Sequence, residues 1–232
     1  GKSWQQLGKG LPADLPLYSV RVDPEDARFV YLGSERGVWM SRDGGASFSE
    51  LKLNLPPVTV MDMEIKHGDL VIGTRGRGLW TLEQIASLRE FDDGVRKQAA
   101  HLFATRPTIR FREDGTWAEL GNGTFEESNE GALLHYWLAE APKQPLTLTI
   151  KDGDGRVLRT LSSEKKPGKY AEDDPDEPSG PPEADVTADQ GFNATVWNLR
   201  EEGARRIAFK ADMGDPETGP LALPGTYTLE LN

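Results

Sequence analysis

The sequence predicts an all-β chain with two parts, and three observations carry this prediction. Short apolar stretches repeat every 40 to 44 residues within residues 1–90, which is the period of a β-propeller blade. Alternating stretches bounded by turn residues follow in residues 131–232, as in an antiparallel β-sandwich. The 232 residues include 25 Gly and 16 Pro, a composition that suits a protein rich in turns.

The repeat becomes visible when residues 1–7 are aligned with residues 45–51, at an offset of 44 residues. Residues 30–33 then correspond to residues 70–73, and a Gly-Val-Trp tripeptide corresponds to Gly-Leu-Trp. The sequence predicts four strands in the first repeat and three in the second, at residues 18–22, 29–33, 37–41, 48–53, 60–65, 70–74 and 78–82. After these, residues 82–88 are predicted to form a short helix, because their apolar residues are three and four apart.

We interpret residues 1–90 as the last two blades of a larger β-propeller, since known propellers contain about 4–8 blades. Residues 1–4 match residues 45–48, which are only the second half of the turn motif at residues 41–48. This partial match predicts that further blades precede residue 1. The expected partners are upstream blades of the same precursor, in the same chain or bound non-covalently. Without neighbours on both sides, the innermost strands should expose five apolar side chains, Val20, Val22, Met61, Met63 and Ile65.

Residues 41–48 read Ser-Arg-Asp-Gly-Gly-Ala-Ser-Phe, and the five defining positions of this motif are Ser41, Asp43, Gly45, Ser47 and Phe48. An Asp side chain can accept hydrogen bonds from turn amides, Gly permits the turn, and the aromatic residue packs between sheets. The motif resembles the Asp-box of BNR-repeat propellers, a group that includes sialidases, xyloglucanase-type glycosidases and sortilin-type receptors. The resemblance implies a bacterial, sortilin-like or glycosyl hydrolase-like protein that is secreted or periplasmic.

The second part is predicted to follow a connector at residues 91–130. Strands are predicted at residues 131–139, 146–151, 156–161, 191–199, 207–211 and 226–231. Three stretches, residues 152–155, 191–197 and 224–227, resemble the Ig-like module of flagellar hook-capping proteins. Residues 131–232 are therefore expected to form an Ig-like β-sandwich. An acidic, disordered insertion is predicted at residues 162–190, where Pro and charged residues dominate.

Composition and spacing exclude several classes of site. The formal net charge of −11 argues against a general nucleic-acid binder, and no apolar run approaches the roughly 20 residues of a membrane span. The chain has no Cys, and its three His residues lack paired spacing, so we predict no metal site and no cofactor. Residues 152–155 lack the further ligand positions of a calcium loop and are interpreted as a hairpin turn.

The candidate ligand-binding residues are Glu35, Arg36, Arg75 and Arg77. They lie in the two loops between second and third strands, which share one face of a propeller and would surround its pore. An alternative is that the Arg residues pair with carboxylates between blades, a role that suits the planar guanidinium.

The sequence predicts no catalytic residues in this chain, because glycoside hydrolysis usually needs two opposed carboxylates and sialidase-like chemistry needs clustered Arg with Tyr. Two functions remain open. The chain is either a non-catalytic binding and scaffold segment that completes a propeller and binds a glycan or peptide, or the tail of an exo-acting glycoside hydrolase. In the second case, the catalytic carboxylates would lie on upstream blades.

Overall fold

The computed structural model describes residues 3–52, 54–110, 131–165, 184–203 and 218–232. The chain divides into two compact units, Gly1–Glu90 and Phe91–Asn232. The described residues form mostly β-strands in several small antiparallel sheets, none of which closes on itself. Helices within these ranges are too short to cross a membrane. The prediction of a predominantly β chain is confirmed at this level.

The first unit contains two antiparallel sheets in which the strands follow one another in chain order. The first sheet has four strands, β1 (Leu17–Val22), β2 (Val30–Ser34), β3 (Gly37–Ser41) and β4 (Ser49–Glu50). The second has three, β5 (Val60–Lys66), β6 (Asp69–Thr74) and β7 (Leu79–Leu82). All seven predicted strands are present. The fourth is shorter than predicted because the amide of Phe48 bonds instead to the carbonyl of Lys9, at 2.8 Å.

Helix α1 (Ala86–Glu90) begins four residues later than the predicted helix over residues 82–88. Leu82 is the last residue of β7, and Gln84 then adopts a left-handed backbone with φ of 51°. The Gln84 amide donates to Asp69 Oδ1 at 2.8 Å, and the Ile85 amide donates to the carbonyl of Gly68 at 2.9 Å. These bonds turn the chain before the helix can start, so the predicted boundary was wrong.

The two sheets of the first unit bury a core between them. Tyr31, Val38 and Met40 contribute from the first sheet, and Leu70 and Ile72 contribute from the second. Because cross-strand partners share one face of a sheet, the register places Tyr31 and Met40 together on the face towards the second sheet. The opposite face of the first sheet carries a separate, smaller cluster.

The predicted exposure of apolar side chains on the innermost strands is correct for three residues and wrong for two. Val20 and Val22 are each 54% exposed, and Met61 is 38% exposed. Met63 is buried and Ile65 is half-buried, because both pack on the core shared with the first sheet. The neighbour that these two residues require is therefore present within the chain.

A buried ion pair joins α1 to the loop between β1 and β2. Arg89 donates to both carboxylate oxygens of Asp23, from Nε at 2.8 Å and from Nη2 at 3.0 Å, and its Nη1 donates to Glu25 at 2.6 Å. The Asp23 side chain is fully buried, and the Arg89 side chain is only 13% exposed. Burial and the Asp23 carboxylate together raise the pKa of Tyr31 to about 12.

The second unit begins in residues that the sequence assigned to a connector. Asp92 caps helix α2 (Asp93–Arg96) by accepting a hydrogen bond from the Val95 amide at 2.8 Å. Strand β8 (Ala100–Leu102) follows and pairs with β9 (Ala132–Leu138). The described part of the predicted connector, residues 91–110, therefore includes a strand. That strand has only three residues, and the residues that it pairs with lie 34 to 38 positions later, so local patterning could not reveal it.

The remaining strands are β10 (Thr147–Lys151), β11 (Val157–Ser162), β12 (Gly191–Trp197), β13 (Arg200–Glu202), β14 (Thr218–Leu221) and β15 (Thr228–Leu231). Together with β8 and β9, these strands form two three-stranded sheets, ordered β12-β9-β8 and β11-β10-β15, and a β13-β14 pair. Tyr136 and Trp197 from one three-stranded sheet share a buried core with Leu148 and Leu161 from the other. The strand predicted at residues 207–211 lies outside the described residues.

The hairpin turn predicted at residues 152–155 is present between β10 and β11. The Asp152 carboxylate accepts hydrogen bonds from the amides of Asp154 and Arg156, at 3.1 and 2.9 Å. Gly155 has a φ of 82°, which favours glycine. The carboxylate of Asp152 therefore holds its own turn, as expected for a plain hairpin.

The insertion predicted at residues 162–190 is described at residues 162–165 and 184–190. Val186 is buried in the core, and Thr187 accepts a hydrogen bond from the Tyr136 hydroxyl at 2.6 Å. Asp185 accepts a further bond from the amide of Ser162 at 3.1 Å. Residues 184–190 therefore belong to the folded unit, and the predicted boundary was wrong. The acidic composition of residues 162–190 as a whole gave no indication that Val186 is buried.

Candidate functional site

The two loops that carry the candidate residues are built in the same way. In residues 34–37, the Ser34 hydroxyl donates to the carbonyl of Gly37 at 2.8 Å and accepts from the Arg36 amide at 3.1 Å. In residues 74–78, the Thr74 hydroxyl donates to the carbonyl of Gly78 at 2.7 Å and accepts from the Arg77 amide at 3.2 Å. We call residues 34–37 and 74–78 the rim loops.

The residue that precedes each innermost strand anchors the following rim loop. The Glu35 amide donates to the carbonyl of Pro16 at 3.1 Å, and the Arg75 amide donates to the carbonyl of Thr59 at 2.8 Å. Thr59 also reaches the other rim loop, because its hydroxyl donates to the carbonyl of Glu35 at 3.5 Å. The structure thus brings the two loops together at one end of the sheets. The sequence interpretation did not include Thr59, since no motif marks it.

The four candidate side chains are exposed. Arg36 lies 3.4 Å from the carboxylate of Asp14, and both side chains of this pair are largely exposed. Among the residues that the structure describes, no oppositely charged group lies within 4 Å of Glu35, Arg75 or Arg77. An exposed pair such as Arg36–Asp14 contributes little to stability. The charges of all four candidate residues are therefore accessible to a ligand.

Pairing between the sheets is made by a different arginine, which the sequence interpretation missed. Arg21, on β1, lies 2.7 Å from Asp62 and 3.6 Å from Glu64, both on β5. The alternative role considered for Arg75 and Arg77 is thus observed for Arg21. An alternation of charged and apolar residues along β1 and β5 was the available signal in the sequence.

A cleft of about 440 Å³ adjoins the rim loops at Arg36. Glu50 and Lys52 lie at its edge, and Leu51 and Leu55 contribute apolar surface. Lys52 lies 3.2 Å from Glu50, so these two lining charges pair with each other. The cleft is therefore lined by both apolar and charged side chains and adjoins the first rim loop.

The Asp-box residues lie at the opposite end of β3, and the hydrogen bonds of the Asp43 carboxylate lie within the motif. Asp43 accepts from the hydroxyl of Ser41 at 2.7 Å, and from the amide and hydroxyl of Ser47 at 2.8 and 2.5 Å. The Gly45 amide donates to the Ser41 hydroxyl at 2.8 Å, and Phe48 is buried. The predicted bonds to the turn are present. They lower the pKa of Asp43 to about 2, with the Ser47 hydroxyl as the largest cause.

Asp43→Ala is expected to lower the melting temperature at pH 7, because three hydrogen bonds to the carboxylate are lost. The folded pKa lies below the ordinary value of 3.8, so this stabilisation is complete above about pH 4 and disappears as the pH falls towards 2. The difference in melting temperature between variant and wild type should shrink over the same interval. Thermal unfolding at several pH values measures it, with Asp154→Ala as the control. A difference that is constant with pH would contradict this role.

Comparisons of the chain with protein-family models, with curated proteins and with solved structures found no match. In the part of the chain that the structure describes, no three His, Asp or Glu side chains form a group that could hold a metal ion. Within the described residues, the rim loops combine exposed charged side chains with a backbone held by hydrogen bonds.

Proposed function

We propose that the first unit is part of a BNR-type β-propeller and binds a glycan or peptide ligand at its rim loops, without catalysis by this chain. The observation that carries this proposal is the equivalent construction of the two rim loops. Both are closed by a hydroxyl group, both are anchored by the residue before an innermost strand, and both present arginine to solvent. Fixed loops that display charge are suited to binding because little ordering entropy is lost.

The propeller interpretation is supported by the equivalence of the two sheets. Val20 pairs with Leu32, as Met63 pairs with Ile72, so Val20 and Met63 occupy the same position in successive repeats. Met63 is buried against the first sheet, whereas Val20 is 54% exposed. A preceding sheet of the same type would cover Val20. Upstream blades of the same precursor are the partners that fit this surface.

The ligand is expected to carry an anionic group. Three arginines stand beside one glutamate in the rim loops, and guanidinium groups bind carboxylate, sulfate or phosphate through paired hydrogen bonds. Uronic or sialic acids in glycans and acidic side chains in peptides provide such groups. A secreted or periplasmic location would give access to them.

The second unit is proposed to be an Ig-like spacer or docking module. Its two three-stranded sheets share one core that includes Trp197, and the centre of the Trp197 ring lies 5.0 Å from the centre of the Tyr227 phenol ring. The Trp197 Nε1 donates to the carbonyl of Arg200 at 2.8 Å, which satisfies the buried indole. A preformed, rigid module of this kind suits a spacer role.

Binding to an array of acidic and neutral glycans and acidic peptides tests the proposed function. The wild-type chain should bind a subset of acidic ligands, and Arg75→Ala/Arg77→Ala should bind them about 10- to 100-fold more weakly, the loss expected for a hydrogen bond to a charged group. Arg28→Ala is the matched control, because Arg28 pairs with Asp26 at the other end of the sheets. Equal binding by the wild type and the double variant would contradict the proposal.

A further inference from the structure

The two rim loops share a sequence that continues into the strand after each of them. Residues 36–39 read Arg-Gly-Val-Trp, and residues 77–80 read Arg-Gly-Leu-Trp. Each tryptophan pairs with the residue two positions before its rim loop, so Trp39 and Trp80 occupy the same place in their sheets. In both repeats the tryptophan therefore follows a rim-loop arginine by three residues.

The indole groups of the two tryptophans differ in their hydrogen bonds. Trp80 Nε1 donates to the carbonyl of Arg77 at 2.9 Å. Trp39 Nε1 is buried, and among the residues that the structure describes it has no hydrogen-bond partner. Buried donors without an acceptor are uncommon in folded proteins. The carbonyl of Arg36 thus does not have the role in the first loop that the carbonyl of Arg77 has in the second.

Loop length accounts for this difference. Ser34 pairs with Gly37 across the first rim loop, with two residues between them. The Thr74 amide donates to the carbonyl of Gly78 across the second rim loop, with three residues between them. The backbone also differs after the arginine, since Gly37 has a φ of 111° and Gly78 has a φ of 69°. Only the longer loop therefore places the arginine carbonyl within reach of the indole.

The second rim loop also carries the charge that an anionic ligand requires. The first rim loop contains Glu35 beside Arg36, and Arg36 lies 3.4 Å from the Asp14 carboxylate. The second contains Arg75 and Arg77 and no acidic residue. A carboxylate, sulfate or phosphate group is therefore attracted more strongly to the second loop than to the first.

We propose that the second rim loop binds the anionic group of the ligand and that Trp80 is a positioning residue for this contact, a role that rests on the proposed function of the rim loops. The indole bond fixes the main chain of Arg77 before the ligand binds, so less conformational entropy is lost on binding. Trp80 acts through Arg77. The first rim loop lacks this bond and contributes less to affinity.

Fluorescence anisotropy with two fluorescein-labelled probes tests this inference on the full chain. Hexaglutamate presents carboxylates on a peptide, and hexagalacturonate presents them on a glycan. Trp80→Phe should weaken the binding of a probe by about 3- to 10-fold, the loss expected for one hydrogen bond. Trp39→Phe is the matched control, because it removes the same atoms at the equivalent position without removing a hydrogen bond, and its affinity should equal that of the wild type.

A double-mutant cycle separates positioning from a general loss of stability. If Trp80 acts through Arg77, Trp80→Phe should have no further effect on binding in an Arg77→Ala chain. Amide exchange in residues 75–78 should become faster in Trp80→Phe and stay unchanged in Trp39→Phe. Circular dichroism verifies that each variant is folded. Trp80→Met, whose side chain also lacks the donor, replaces Trp80→Phe if that variant is unfolded.

Unchanged affinity in Trp80→Phe would overturn the inference, as would the same loss in the wild-type and Arg77→Ala backgrounds. A loss for Arg36→Ala as large as that for Arg77→Ala would also overturn it, and so would the absence of binding of both probes. Binding that Arg75→Ala/Arg77→Ala does not weaken would contradict the proposed function. Binding that this double variant weakens, while Trp80→Phe leaves it unchanged, would overturn only the role of Trp80.

Discussion

Arg89→Ala is expected to destabilise the first unit by about 3–5 kcal/mol, the cost of leaving a buried charge without its partner. Asp23 is fully buried and receives two hydrogen bonds from Arg89, which ties α1 to the loop between β1 and β2. Removal of the guanidinium leaves the Asp23 carboxylate without its cation in an environment of low polarity. Urea denaturation monitored by amide hydrogen exchange in residues 17–90 measures the change.

Arg28→Ala is the matched control for this experiment. Arg28 forms a similar pair with Asp26 in the same loop at 2.7 Å, but its side chain is 70% exposed, so its removal should have little effect. Asp23→Ala/Arg89→Ala removes both charges and should be less destabilised than the sum of the two single variants. If Arg89→Ala were as stable as Arg28→Ala, the ion pair would not hold α1 to the loop between β1 and β2.

Leu148→Ala is expected to destabilise the second unit by about 2–5 kcal/mol, the range for removing a large side chain from a packed core. Leu148 is fully buried on β10, the central strand of its sheet, and pairs with Leu161 on one side and Leu231 on the other. Neighbours on both sides limit how far the site can collapse into the cavity. Amide exchange in residues 131–165 during urea denaturation reports on this unit.

Leu223→Ala provides the comparison, because Leu223 is 80% exposed and its truncation should change stability by less than about 0.5 kcal/mol. A loss below about 1 kcal/mol for Leu148→Ala would mean that the two three-stranded sheets do not enclose a packed core. Exchange in residues 17–90 indicates whether the first unit responds to the same substitution.

Local patterns predicted most of the strands because strand and turn signals depend on neighbouring residues. The alternation in residues 146–151 and the glycine at residue 155 were sufficient for the β10–β11 hairpin. The Asp-box turn was predicted for the same reason, since the Ser41 hydroxyl and the Asp43 carboxylate form their hydrogen bonds within the motif. These features require no knowledge of distant residues.

Contacts between distant residues could not be predicted in this way. Arg89 and Asp23 are 66 residues apart, and neither lies in a pattern that marks a buried pair. Val186 lies in an acidic segment whose average composition predicted disorder. Its side chain is nevertheless buried in the core of the second unit. The short strand β8 depends on pairing with β9, which only tertiary structure supplies.

The placement of the candidate residues was predicted in part. Strand order placed the four charged residues in two corresponding loops, and the structure locates those loops together. The contact that joins them is made by Thr59, for which the sequence offers no signal. Likewise, the pair between Arg36 and Asp14 spans 22 residues and depends on how the segment before β1 folds.

The most direct measurement of the central claim is a titration of the ¹⁵N-labelled chain with the strongest acidic ligand from the array, followed by amide chemical shifts. We expect the largest changes at Glu35, Arg36, Arg75 and Arg77, with Thr59 between them, and we expect Arg75→Ala/Arg77→Ala to need about 10- to 100-fold more ligand for the same changes. Changes centred on the Asp-box residues 41–48 or on the second unit, with the rim loops unaffected, would contradict it.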